Sequence, residues 1–204
     1  MRLSDAQLAA GLAAIDAANA LDPNVVSFDG GPRHGRWPRA QLQGMRASHW
    51  LGLLAPDAAD EVQLAARAHH LGRWTIDRAT YPEGRGGYLR WKRDLKAVHR
   101  TAVAEVLAPL GVPADVIDRV GELVQRVGLG SDPETQLVED VACLVFLETQ
   151  YDELIAKIGT EKVADAVRKT LRKMSPEAIA LAPGARMSPE AAALLVRLAS
   201  EPAA

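Results

Sequence analysis

Cysteine is almost missing from this chain: Cys143 stands alone among 204 residues, so no internal disulfide can form and a reducing compartment suits it. Aromatic residues make up only 4%, and valine and isoleucine nowhere alternate with polar residues over the length of a strand. Alanine and leucine abound instead, and apolar residues recur at helical spacing, so the expected class is all-α. No apolar run approaches the roughly 18 residues of a membrane span, and the N-terminus lacks the basic-then-apolar pattern of a secretory signal. A cytoplasmic protein with no membrane partner is expected. Neither sign of charge is in excess, with 24 Lys and Arg against 26 Asp and Glu, a net charge of -2. That balance argues against a global basic field for nucleic acid, and any anion site must be local. Hydrophobic content of 48% and charged content of 25% suit one compact domain over residues 1–204 that buries its core without staples.

The apolar periodicity predicts about seven to eight helices. The first runs from a cap at Ser4-Asp5 to about Leu21, and Asp22-Pro23 ends it. Residues 22–38 read as a loop punctuated by Gly30-Gly31-Pro32 and carrying Arg33-His34-Gly35-Arg36-Trp37, a turn-rich segment rather than a phosphate cradle. Further helices are expected over about 38–54, 56–74 with Pro56 at its first position, 88–110, 113–127, 132–158, 160–174 and 188–200. The helices of 160–200 are expected to pack on a core formed by about residues 40–150. Lys162, Arg168, Lys169, Arg172 and Lys173 read as a solvated face.

Histidines interrupt the apolar stripes. Leu42, Met45, His49 and Leu53 share helical spacing, which would turn His49 inward; His69 and His70 close the third helix, and His99 lies within the stripe Leu95–Val103. In the sixth helix, Asp140 and Glu148 lie on the stripe that includes Leu137, Val141, Leu144 and Tyr151. A buried carboxylate without a partner costs several kcal/mol, roughly, so these acids are expected to meet partners inside. Between residues 73 and 93 six basic residues, Arg73, Arg78, Arg85, Arg90, Lys92 and Arg93, outnumber Asp77 and Glu83 and are interleaved with Trp74, Tyr81, Tyr88 and Trp91. Guanidinium groups offer planar paired donors and the rings offer apolar faces, so this segment suits a phosphorylated ligand, or else it braces a long connection. Cys143 sits in an apolar helical segment without an activating base and reads as a structural thiol.

Leu64–Arg73, an apolar helix ending in His69-His70-Leu71-Gly72-Arg73, resembles the metal-binding signature of HD-domain phosphohydrolases. His49 on an earlier helix, the pattern from His99 through Ala104, Leu107, Gly111, Ile117 and Val120, and Pro133–Leu144 follow the order of that fold over about residues 40–150. The chain departs from the signature where His70 stands in place of the paired aspartate and Ala142 in place of the final one. Asp140 lies two residues earlier, about 160° round an ideal helix. Over nearly its full length the chain also resembles the uncharacterised family called domain of unknown function 4202. The matching residues include Ile15–Asn19, Asp22-Pro23-Asn24, His70 with Arg73-Trp74, Tyr81-Pro82, Gly87–Trp91, Asp94-Leu95-Lys96, His99, Glu139-Asp140, Cys143–Glu148 and Arg172–Ser175.

The HD resemblance implies an HD-like helical bundle and a divalent metal, iron, manganese or zinc, held by His49, His69 or His70, His99 and Asp140. A water on that metal would attack a phosphorylated or nucleotide substrate, with Asp140 and Glu148 as the catalytic carboxylates. Arg73, Trp74, Arg85, Tyr88, Arg90 and Trp91 would hold the anionic part. The alternative is a catalytically degenerate module of the same fold, in which the histidines and carboxylates form a metal-free network and the arginine-aromatic segment binds an anionic ligand or a protein partner.

Overall fold

The computed structural model describes residues 2–30 and 33–201, which are predominantly helical. Ten α-helices occur among these residues, more than the sequence suggests, together with one two-stranded ribbon. The chain divides into two compact units, the first ending at Val138 and the second beginning at Glu139.

In the first unit, α1 (Asp5–Asn19) opens with a reciprocal cap: the Ser4 hydroxyl accepts the Gln7 N–H at 3.2 Å while the Gln7 side chain accepts the Ser4 N–H at 3.2 Å. Asp22 then fixes the next entry. One of its oxygens accepts from the Asn24 N–H at 2.9 Å and the other from the Ala40 N–H at 2.9 Å, at the first turn of α2 (Arg39–Leu54). Between these anchors the expected loop is a hairpin, β1 (Val25–Gly30) antiparallel to β2 (Arg33–Pro38), with Val26 opposite Trp37 and Phe28 opposite Gly35. Burial does alternate along β1, with Val26 half-buried and Phe28 buried between exposed Val25, Ser27 and Asp29, but two inward positions are too short a pattern to announce a strand in the sequence. Buried Phe28 is its link to the helices, with the Arg46 guanidinium of α2 5.8 Å from its ring centre. Gly31 and Pro32 lie outside the described residues, and so does the side chain of His34.

Helix α2 buries Ala40, Gln43, Gly44, Ala47 and Trp50 rather than the stripe read from its large residues. Leu42 is buried, but Leu53 is 53% exposed and His49 is also exposed. Close approach decides the phase. A Cβ at Gly44 would lie 2.6 Å from the Arg67 carbonyl oxygen of α3 (Asp60–Ala68), so the small residues of α2 must face α3 whatever the spacing of its leucines. Helix α3 starts at Asp60 instead of Pro56, with the buried Asp60 carboxylate accepting the Leu3 N–H at 2.8 Å. It stops at Ala68, short of Trp74, because Gly72 turns left-handed (φ 74°). A Cβ at Gly72 would also lie 3.0 Å from the Val98 side chain.

Two 3-10 turns, Arg73–Thr75 and Arg78–Thr80, lead to α4 (Gly84–Leu107), which begins a turn earlier than its glycines suggest. It buries Trp91, Leu95, His99, Val103 and Leu107 and packs on α5 (Ala114–Gln125). Arg119 of α5 reaches Asp132 and Glu134, each at 2.7 Å, tying α5 to the start of α6 (Pro133–Thr149).

Helix α6 ends at Thr149, where Gln150 leaves helical geometry (φ -135°), and α7 (Tyr151–Ile158) follows, so the single helix expected over 132–158 is two. Within the second unit come α8 (Thr160–Leu171), α9 (Pro176–Leu181) and α10 (Pro189–Ala199), whose core includes Val163, Val167, Leu171, Leu194, Leu195 and Leu198. The unforeseen α9 opens on Ser175, whose hydroxyl accepts the Ala178 N–H at 3.2 Å, ahead of Pro176 in the first turn. Among the described residues no helix is long and apolar enough to cross a membrane.

Candidate functional site

The C-terminal end of α3 and the middle of α4 bring three histidines together in the first unit. His69 is the first residue past α3, and its Nδ1 lies 2.8 Å from the Ala66 carbonyl oxygen. His99 Nδ1 lies 2.6 Å from the Leu71 carbonyl oxygen, and His70 Nδ1 lies 2.6 Å from Oε1 of Gln43 on α2. A carbonyl oxygen can only accept, so each Nδ1 carries the proton and donates it, which leaves the Nε2 lone pair as the free function of each ring. The ring centres of His69 and His70 are 4.2 Å apart and those of His70 and His99 6.5 Å apart, the latter pair 30° from parallel.

These imidazoles are neutral at pH 7. Burial lowers the pKa of His69 to about 3, helped by the charge of Arg126, and that of His99 to about 4. Burial likewise holds His70 well below its ordinary value, with His69 and Arg73 adding to the effect. His69 Nε2 is buried and has no hydrogen-bond partner among the described residues. Such an atom forgoes its hydration, at roughly 1–3 kcal/mol.

Two guanidinium groups act on this row. Arg73 follows the left-handed Gly72 and is half-buried, with its guanidinium 4.8 Å from the ring centre of Trp91. The indole N–H of Trp91 donates to the Ile76 carbonyl at 3.2 Å, which fixes the platform. Burial lowers the pKa of Arg73; the nearby Tyr88 opposes that shift and the like charge of Arg39 reinforces it. Among the described residues Arg73 forms no ion pair with a carboxylate. Arg126, past the end of α5, is the one non-glycine residue with positive φ (59°) among them, and its guanidinium donates to the Leu123 and Val124 carbonyls at 3.1 and 3.2 Å. Capping those carbonyls offsets the cost of the left-handed conformation, roughly 1–3 kcal/mol.

Of the residues read from sequence as metal ligands, His69, His70 and His99 come together. His49 does not join them: it is exposed on α2 with its ring against the edge of Trp50, 5.4 Å between centres. Asp140 belongs to the second unit, where it is buried and accepts the Ser175 N–H at 2.8 Å. Glu148 is half-buried on α6 in the same unit. Among the described residues no three histidine, cysteine or acidic side chains are placed to share a metal ion, and the charges acting on the histidine row are guanidinium groups.

Of the anion-binding residues read from sequence, Arg73, Trp91 and Tyr88 are assembled, with Tyr88 and Trp91 6.0 Å apart and Lys92 5.7 Å from the Tyr88 ring. Trp74 is half-buried beside Arg73 in the chain, whereas Arg85 and Arg90 are exposed on α4. Three participants escape a sequence reading: Gln43, Arg39 and Arg126. Gln43 and Arg39 stand four residues apart on α2, a spacing that would have shown them to share a face once Gln43 was known to point inward. A family model for a domain of unknown function, DUF4202, matches residues 9–195. The chain belongs to the DUF4202 family. No curated protein and no solved structure matches this DUF4202 chain.

Proposed function

We propose that this DUF4202 protein binds a small anionic ligand, foremost a phosphorylated one, at Arg73 and the histidine row of its first unit, and that it does so without a metal ion. The observation that carries the reading is Arg73: a half-buried guanidinium, seated on Trp91, with no carboxylate partner among the described residues. A partly desolvated cation of this kind is stabilised by an anion, and guanidinium offers the paired donors that phosphate oxygens match. The neutral imidazoles supply acceptors beside it, so the lining can meet both a negative group and hydroxyl or P–OH donors of one ligand. Isothermal titration with inorganic phosphate and pyrophosphate is the test. Binding by the parent and loss of at least about tenfold in Arg73→Gln are expected, since a charge-assisted contact contributes roughly 1.5–3 kcal/mol. No binding of any phosphorylated compound to the parent would refute the reading.

The same residues support a second reading, an HD-like metal-dependent phosphohydrolase. What favours it is the tautomer: three imidazoles anchored through Nδ1 are in the state that ligates metal through Nε2. Elemental analysis of protein purified without chelator decides between them. Near-stoichiometric iron, manganese or zinc, absent from a folded His70→Ala variant, would replace the first reading by the second.

A further inference from the structure

Tyr88 is the aromatic residue whose exposure has no account so far. It is 45% exposed near the start of α4, beside Leu89 at 53%, although a large ring gains most from burial. Its ring centre lies 6.0 Å from that of Trp91, which is buried and whose indole N–H is held by the Ile76 carbonyl. The two rings thus make one aromatic surface, anchored at Trp91 and open to solvent at Tyr88. Each ring carries a cation. The Arg73 guanidinium is 4.8 Å from the centre of Trp91 and the Lys92 ammonium 5.7 Å from the centre of Tyr88. Neither cation is in an ion pair with a carboxylate among the described residues. Asp94, the one acid between Gly84 and Lys96, is engaged by the Arg93 side chain at 2.8 Å and the Tyr81 hydroxyl at 3.0 Å. Because Arg73 and Tyr88 both lie against Trp91, the guanidinium and the exposed ring are within about 11 Å of each other. A small ligand that meets both is negative at one end and flat and apolar at the other.

Resting on the anion-binding reading above, we infer that Tyr88 is a ligand-stacking residue and that the ligand is a nucleoside phosphate, its base lying on the Tyr88 ring and its phosphate meeting the Arg73 guanidinium. Every base presents a π-face, so stacking on tyrosine adds affinity without any hydrogen bond to the base edge. Inorganic phosphate or a sugar phosphate satisfies Arg73 alone and leaves Tyr88 in water. Lys92, at the outer end of the pair, adds to the positive potential that draws the phosphate in. The fixed indole of Trp91 holds the guanidinium and the stacking ring ready before the ligand arrives, which lowers the ordering cost of binding.

The test titrates the full chain with adenosine 5′-monophosphate and ribose 5-phosphate, in the parent, Tyr88→Ala and Tyr88→Phe. The parent is expected to bind the nucleotide at least about fivefold tighter than the sugar phosphate, the low end of what stacking one base contributes. Tyr88→Ala should erase that difference while leaving the affinity for ribose 5-phosphate within about twofold of the parent, and Tyr88→Phe should retain it, because the ring rather than the hydroxyl stacks. Melting temperatures confirm that both variants are folded. If ribose 5-phosphate binds the parent as tightly as the nucleotide, or Tyr88→Ala keeps the parent's preference for the nucleotide, this inference fails while anion binding at Arg73 stands. If neither compound nor inorganic phosphate binds the parent, both fall together.

Discussion

His69, His70 and His99 each commit their Nδ1 proton to a protein oxygen and lie buried near guanidinium groups, so protonating any of them in the folded state is costly. In the unfolded chain the same side chains take up a proton near pH 6.5. The unfolded state therefore binds more protons than the native one between that pH and the depressed folded values of about 3 for His69 and about 4 for His99. Stability rises with pH across this window and is lost as pH falls through it. At pH 5 the loss is about 2 kcal/mol for each of His69 and His99, one and a half pH units at roughly 1.4 kcal/mol each. Urea unfolding at pH 7 and pH 5 measures it, and His69→Asn should reduce the difference by about the share of one histidine; an unchanged difference would remove His69 from the cluster. These histidines were legible in the sequence because a polar residue that interrupts an apolar stripe must find a partner. Gln43 was not, because nothing in a lone glutamine announces that it points inward. Arg126 occupies a left-handed position where glycine is the ordinary choice, and sequence spacing does not reveal that conformation.

At the scale of elements, close backbone approach outweighs apolar periodicity in setting the parts that hold the site. Gly44 turns the small face of α2 to α3, and that rotation is what leaves His49 exposed and brings Gln43 to His70. The start of α4 follows the same rule. A Cβ on the buried Gly87 would fall well inside contact distance of the Pro82 carbonyl, so the segment Ile76–Glu83 can fold over the first turn of α4 only with glycine at that position. Ile76 holds the indole of Trp91, and Trp91 carries Arg73. Gly87→Ala is therefore expected to destabilise the protein by about 1–3 kcal/mol, the range of overpacking, and to weaken phosphate binding without touching any residue that contacts the anion. A melting curve and a titration on one preparation check both; wild-type affinity in a destabilised variant would mean that the Pro82–Gly87 contact does not position the Arg73 platform. The helical class and most helices were legible from spacing, whereas the early end of α3 at Ala68 was not. The hairpin and the true faces of α2 were not, since they depend on partners distant in the chain.

For the whole molecule, the division at Val138 and Glu139 places the paired acids of the sequence, Asp140 and Glu148, in a different compact unit from the histidine row. Within its own unit Asp140 serves the fold, because its buried carboxylate accepts the Ser175 N–H at the N-terminal boundary of α9, where the Ser175 hydroxyl in turn accepts from Ala178. Removing the carboxylate strips that N–H of its acceptor, a loss of roughly 1–3 kcal/mol. The metal-free reading therefore separates two properties that a metal centre would join. Asp140→Ala is expected to lower the unfolding free energy by that amount and to leave the affinity for phosphate within about twofold of the parent. Were Asp140 a ligand of a metal that recruits the phosphate, the same substitution would abolish binding together with metal content. Measuring stability, phosphate affinity and metal content on a single batch of Asp140→Ala makes the comparison direct. A folded variant that has lost both phosphate and metal would overturn the metal-free site, and one that has lost only stability would confine the ligand's requirements to the first unit.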